Sequence, residues 1–147
     1  MADRVSVSIE LGGNLAASDR DRLIEVVNDE GLSVEWDGLA FDASQFPTGE
    51  PLRLYANEIA WGRLDELEAF CIEQALGFVC RSGGCAGSFG PQILVFTGDG
   101  EVRAFAADED ERPVICRATA ERLGDFAAIM AHFDAADFVV PPLVVAP

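Results

Sequence analysis

At 147 residues the chain is long enough to bury roughly 68–70% of its unfolded surface around one core without disulfides or metal. Half of its residues are hydrophobic, which excludes the disordered acidic class, where low hydrophobicity accompanies high charge. The 26 Asp and Glu stand against 10 basic residues, all arginine, for a formal net charge of -16, a field that repels nucleic acid and anionic membranes and attracts basic protein surfaces or cations.

A proteome adapted to high salt, or a GC-rich genome poor in lysine codons, yields the same totals, so the placement of the acids matters more than their number. Residues 1–6 (MADRVS) carry no apolar h-region of a secretory signal. The longest apolar run, 138–147, contains Pro141 and Pro142 and falls short of the ~20 residues a membrane helix needs. The expectation is a cytoplasmic protein without membrane contact, its four cysteines present as thiols.

In chain order, Val5, Val7, Ile9 and Leu11 alternate with Ser6, Ser8 and Glu10 as in a strand with one wet face, which Gly12 and Gly13 are expected to end. Ser18 and Asp21 read as an acidic capping-box variant opening a helix through Leu23, Val26 and Val27, stopped at Gly31. Leu32, Val34 and Trp36 alternate again and predict a second strand reaching as far as Phe41. After a loop marked by Pro47, Gly49 and Pro51, Leu52, Leu54 and Ala56 predict a strand. Asp65 and Glu68 then cap a helix with Leu67, Phe70, Cys71 and Ala75 inside and Gly77 at its end.

Two such β-α-β units fit a split, ferredoxin-like arrangement. Beyond the glycine-rich stretch 80–91, Asp99-Gly100 predicts a hairpin between 93–96 and 101–106. Residues 114–116 read as a short strand, Thr119 as the N-cap of a last helix with Leu123, Phe126, Ala127 and Met130 inside, and the diproline tail as extended. The predicted class is α+β: one domain, 1–147, with a mainly antiparallel sheet, ferredoxin-like β-α-β units over 1–82, a glycine-rich loop and hairpin over 83–117, and a helix and extended tail over 118–147. Two or three helices are expected.

The glycine loop lacks the lysine and following helix of a P-loop. Cys80 and Cys85 stand at C-x4-C spacing without a second close pair to complete a zinc site, so neither a metal nor a cofactor is expected. The single histidine, His132, is read as a surface residue near a helix end, which leaves a cysteine or serine nucleophile without an evident base. No paired carboxylates stand out, and the residues point away from an enzyme. An alternative keeps a small enzyme or ligand-binding protein built on Cys80, Arg81 and Cys85.

The acids are more informative. Asp21, Glu25 and Asp29 stand at i, i+4 and i+8 on the first helix, where each like-charge neighbour costs about 0.2–0.5 kcal/mol. Carboxylates ~6 Å apart along a helix are sparser than phosphates ~3.4 Å apart on one strand. A nucleic-acid mimic therefore needs Asp65, Glu66 and Glu73, the turn Asp108, Glu109, Asp110 and Glu111, or a second protomer, on the same face. Of the large aromatics, Trp61 is expected to be buried at the start of the second helix. The sequence-level reading is a non-catalytic acidic protein that binds a basic protein surface rather than nucleic acid itself, with an inhibitor of nucleic-acid-handling machinery of the anti-restriction or anti-CRISPR kind as its sharpest form. An immunity protein or antitoxin facing a basic toxin is the other alternative. Oligomeric state is left open.

Overall fold

The computed structural model describes residues 4–146; residues 1–3 and Pro147, at the two ends of the expected domain, lie outside the described residues. Among the described residues it is an α+β structure in which six strands join one sheet flanked by four α-helices. Strand β1 (Arg4–Leu15) buries Val5, Val7, Ile9 and Leu11 on one face, as its alternation requires. It does not stop at the glycine pair. Gly12 leaves room for the tail, and β6 (Leu143–Val145) pairs in parallel with Gly13, Asn14 and Leu15. The Gly13 amide donates to the Pro142 carbonyl at 3.0 Å and the Ala146 amide to that of Leu15 at 2.8 Å.

Helix α1 (Arg20–Asp29) follows a 3-10 turn, so Asp19 rather than Ser18 occupies its N-cap, and no side chain caps it. Leu23 and Val27 face the core, and Gly31 ends the helix with φ +75°. The strand expected over 32–41 does not form. Asp37 takes a left-handed φ of 57°, and the turn around it is closed by the Gly38 amide donating to Glu35 O and the Ser33 hydroxyl donating to Gly38 O. The segment instead touches the sheet by one bridge, Ser33 to Tyr55. Its two buried hydrophobic residues, Leu32 and Phe41, plug the core from either side of that turn, and Asn28 on α1 clasps the Phe41 backbone through both amide groups.

Strand β2 (Leu52–Ala60) lies antiparallel to β1. Helix α2 (Asp65–Glu73) buries Leu67, Phe70 and Cys71 as expected, but the left-handed residue at its end is Ala75, not Gly77, which opens β3 (Gly77–Ser82). Strands β4 (Gln92–Phe96) and β5 (Arg103–Ala106) form the expected hairpin. The order β2-β1-β3-β4-β5 is antiparallel throughout. The ferredoxin-like arrangement does not emerge, because β1 takes both β2 and β3 as antiparallel neighbours and the strand predicted between α1 and β2 is a loop.

Residues 114–116 are not a strand; the chain there makes one bridge, Ala107 to Pro113. The last helix is two. Helix α3 (Arg117–Leu123) begins after Cys116, with Thr119 inside it, and Gly124 at φ +91° breaks the chain before the Asp125 carboxylate caps α4 (Phe126–Ala136) by accepting from the Ala128 amide. Phe126, 76% exposed, and Met130 face solvent, while Ala136 is the buried residue of α4 and Ile129, His132 and Ala135 are half-buried.

One face of the sheet, with Ile9, Leu11, Leu54, Phe78, Cys80 and Phe96, packs under α1 and α2. On the other, Val79, Ile93, Val95 and Phe105 pack under Ala136 and Val140. That second core covers only β3, β4 and β5. Over β1 and β2 the sheet presents Ser6, Ser8, Glu10, Arg53 and Tyr55, which are not buried.

Candidate functional site

Helices α1 and α2 lie antiparallel. Arg22, in the first turns of α1, holds Glu73 at the end of α2 through two bonds of 3.2 and 2.8 Å, while Glu30, just past α1, sits in the field of Asp65, Glu66 and Glu68 at the start of α2. Asp21, Glu25, Asp29, Asp65 and Glu66 are exposed on this layer. Glu73 is occupied by Arg22. Glu68, 5% exposed, pairs with Arg63 at 2.9 Å and accepts from the amide of Leu64, which rather than Asp65 is the N-cap of α2. The carboxyl of Glu30 titrates above the usual carboxylate range, first because it is partly buried and then because Glu66, Asp65 and Glu68 repel its charge; the Leu67 amide offsets only part of this. The layer therefore carries negative potential that its own arginines do not cancel.

The acidic turn lies elsewhere. Asp108 accepts from the Arg112 amide (2.9 Å), Arg112 Nε (2.8 Å) and the Asp110 amide (2.9 Å), which hold its carboxyl below the ordinary range, and Arg112 Nη2 reaches Asp110 at 3.3 Å. Glu109 and Glu111 overhang the outer face of β1, the face opposite α1 and α2. The ten acids named by the sequence thus divide between two faces, and one protomer does not assemble them into a single surface.

Cys80, Arg81 and Cys85 do not converge either. Cys80 points into the core beneath α2, where burial pushes its thiol up to about 12. Arg81, the next residue along β3, points to the other face and meets Glu10 at 3.5 Å, and Cys85 bridges to Phe89 within the loop. Burial also raises the Cys71 thiol. His132 lies against Phe105, ring centroids 4.9 Å apart, rather than on a polar surface, and burial with Arg103 and Arg122 nearby lowers its pKa. Among the described residues no group of three His, Cys, Asp or Glu side chains is placed to hold a metal ion, and no helix is long and apolar enough to cross a membrane.

No family model, curated protein or solved structure matches this chain. The surface chemistry is therefore read from its own side chains.

The sequence reading missed a groove over the uncovered half of the sheet. Its floor is Ser6, Ser8 and Glu10 of β1, flanked by Asn57, Tyr55 and Arg53 of β2 and by Arg81 of β3. One wall is Trp36 and Asp37: the Trp36 ring lies 4.9 Å from that of Tyr55, and Asn57 donates to the Asp37 carboxylate at 2.8 Å. Glu109 and Glu111 form the other, over cavities of about 650 and 350 Å³. Asp37, Glu58 and Glu111, three of the five non-glycine residues with positive φ among the described residues, line these cavities. Such strained backbone clusters at ligand-contacting sites. Strand alternation made the polar floor legible; nothing local marked the walls, which come from residues far away in the chain.

Trp61 is not buried. It is 52% exposed, at φ 58°, 6.0 Å from Phe89 across a separate cavity of about 560 Å³ beside the β5 edge.

Proposed function

We propose that this chain is a non-catalytic acidic protein that binds a basic protein surface through the α1–α2 layer, and that the surface it covers is one that handles nucleic acid. What carries the reading is the charge of that layer. Residues 17–30 and 63–74 hold nine carboxylates and three arginines, and Arg20, Arg22 and Arg63 all already face a carboxylate within the layer. Exposed Glu25, Asp29 and Glu66 remain to meet a partner, on two neighbouring helices whose axes run ~8–10 Å apart. Two rows of carboxylates give a denser array than the single stripe on α1. The turn with Glu109 and Glu111 is not part of this surface, and Cys80, Arg81 and Cys85 do not converge on one site.

The test is capture from host lysate at low and high salt with the wild-type chain and with Asp21→Asn/Glu25→Gln/Asp29→Asn. The expected result is a nucleic-acid-binding protein retained at low salt, released by salt and by competing DNA or RNA, and lost with the triple variant. Steered binding of this kind weakens as the Debye length falls from ~10 Å at 0.1 M to ~3 Å at 1 M. Retention of a basic toxin that DNA and RNA do not displace would replace mimicry by an immunity role, and a partner indifferent to the triple variant would overturn the assignment of the surface.

A further inference from the structure

The groove over β1 differs from the helix layer in one respect: its charge is graded along its length. Toward Ser6 it is lined by Asp37, Glu58 and Glu109 against Arg4, whose guanidinium is directed to the Glu58 carbonyl at 2.9 Å. Toward Glu10 it is lined by Arg53 and Arg81 against Glu10 and Glu111. The Glu10 carboxylate reaches both guanidiniums, Oε2 toward Arg53 at 3.7 Å and Oε1 toward Arg81 at 3.5 Å, and Arg53 also faces Glu50 at 3.8 Å. A guanidinium has five N–H donors in a fixed fork, so most of the donors of this pair are free for a further acceptor. Two of the ten arginines in the chain therefore line the smaller of the two cavities in an otherwise strongly anionic molecule.

The dimensions and walls narrow the occupant. From Ser6 to Glu10 the floor is extended strand, ~13 Å long at ~3.3 Å per residue, about three or four residues of extended peptide. Ser6, Ser8 and Asn57 offer hydroxyl and amide groups to a backbone, and Trp36, 48% exposed above Tyr55, offers an aromatic side wall. The walls are held in place before any ligand arrives. Asp108 fixes the turn that presents Glu109 and Glu111, and Asn57 ties Asp37 to β2.

We infer that the groove binds a short zwitterionic peptide, its cationic group at the Asp37, Glu58 and Glu109 end and its terminal carboxylate between Arg53 and Arg81. The site is separate from the α1–α2 layer, on the opposite face of the sheet, and does not depend on the function proposed for that layer.

The experiment turns the overall charge of the protein against the expected answer. In the Trp61→Phe chain, Trp36 is the sole tryptophan, and its fluorescence is titrated with the tripeptide Arg-Gly-Gly as the free acid, with its C-terminal amide, and with Gly-Gly-Gly. A net charge of -16 favours the amide, which carries one more positive charge than the acid. A carboxylate seated on the arginine pair reverses that order, with the acid binding about tenfold tighter than the amide and Gly-Gly-Gly weaker than Arg-Gly-Gly. Arg81→Gln, or Arg53→Gln on the edge strand should the first fail to fold, is expected to abolish the preference for the acid, and Glu109→Gln to weaken both arginine peptides. Equal or tighter binding of the amide, or no saturable change in Trp36 emission, overturns the inference.

Discussion

A Cβ on Gly12 would stand 1.7 Å from the Pro141 carbonyl oxygen and 2.8 Å from its carbonyl carbon, both backbone atoms with nowhere to move. Only glycine lets the tail lie across β1 at this point. Gly12→Ala is expected to detach β6, losing the backbone hydrogen bonds of the tail to β1 and to Glu50 O and the burial of Leu143, for about 2–4 kcal/mol. The readout is rapid proteolysis after residue 140 together with early amide exchange at Gly13 and Ala146. Gly31→Ala is the contrasting case: nothing lies within 4 Å of the added atom, and the cost is that of the left-handed φ alone, about 1–2 kcal/mol, with the tail still protected. A second single-residue prediction concerns Glu68. Its carboxylate is buried and Arg63 is its charged partner on the surface side, so Arg63→Ala leaves a buried charge held only by the Leu64 amide and should cost about 3 kcal/mol in denaturant unfolding. Glu68→Gln, which removes the charge and retains an acceptor for that amide, should cost less.

Among the elements, the strands with one wet face were legible because Val5 to Leu11 and Leu52 to Ala56 bury every second residue. The same alternation at Leu32, Val34 and Trp36 misled, since a loop that buries a residue on each side of a turn produces it equally well; the deciding features, φ at Asp37 and the clasp by Asn28, involve no hydrophobic pattern. Helix α4 was misphased for a related reason. It is apolar nearly all round, so no polar face sets its rotation, and the sheet chooses the side with Ala135 and Ala136, whose small side chains sit with Val79, Ile93 and Val95, leaving Phe126 and Met130 outside. This docking places His132 against Phe105, with Arg103 from β5 and Arg122 from α3 opposing its protonation. The folded chain thus takes up this proton less readily than the unfolded one, for which the pKa is ~6.5. The contribution of His132 to stability is intact above that value and is lost as pH falls through it toward the lower folded pKa. Melting temperature measured from pH 7.5 to 5.5 should fall more steeply for the wild type than for His132→Gln, the difference closing at the upper end.

At the scale of the whole molecule, composition announced the acid and could not place it, because Asp and Glu on a helix surface and in a turn contribute alike to a total of -16. The fold separates them into a helix layer on one side of the sheet and a turn over the groove on the other, and in the layer Glu30, partly buried and facing Glu66, Asp65 and Glu68, titrates above its ordinary value. Salt should then act on the protein in opposite directions. Screening relieves repulsion among Asp21, Glu25, Asp29, Glu30, Asp65 and Glu66, so melting temperature should rise between 0.1 and 1 M NaCl as the Debye length shortens from ~10 to ~3 Å, while the same screening weakens attraction to a basic partner. In Asp21→Asn/Glu25→Gln/Asp29→Asn the repulsion is already reduced, so the variant should melt higher than the wild type at low salt and gain less from added salt. A layer that costs the isolated chain stability and is relieved by positive charge is what a surface made to be covered by a basic partner requires. Equal salt sensitivity of variant and wild type would mean that the acid on α1 is ordinary solvated surface, and would move the search for function to the groove on the other face.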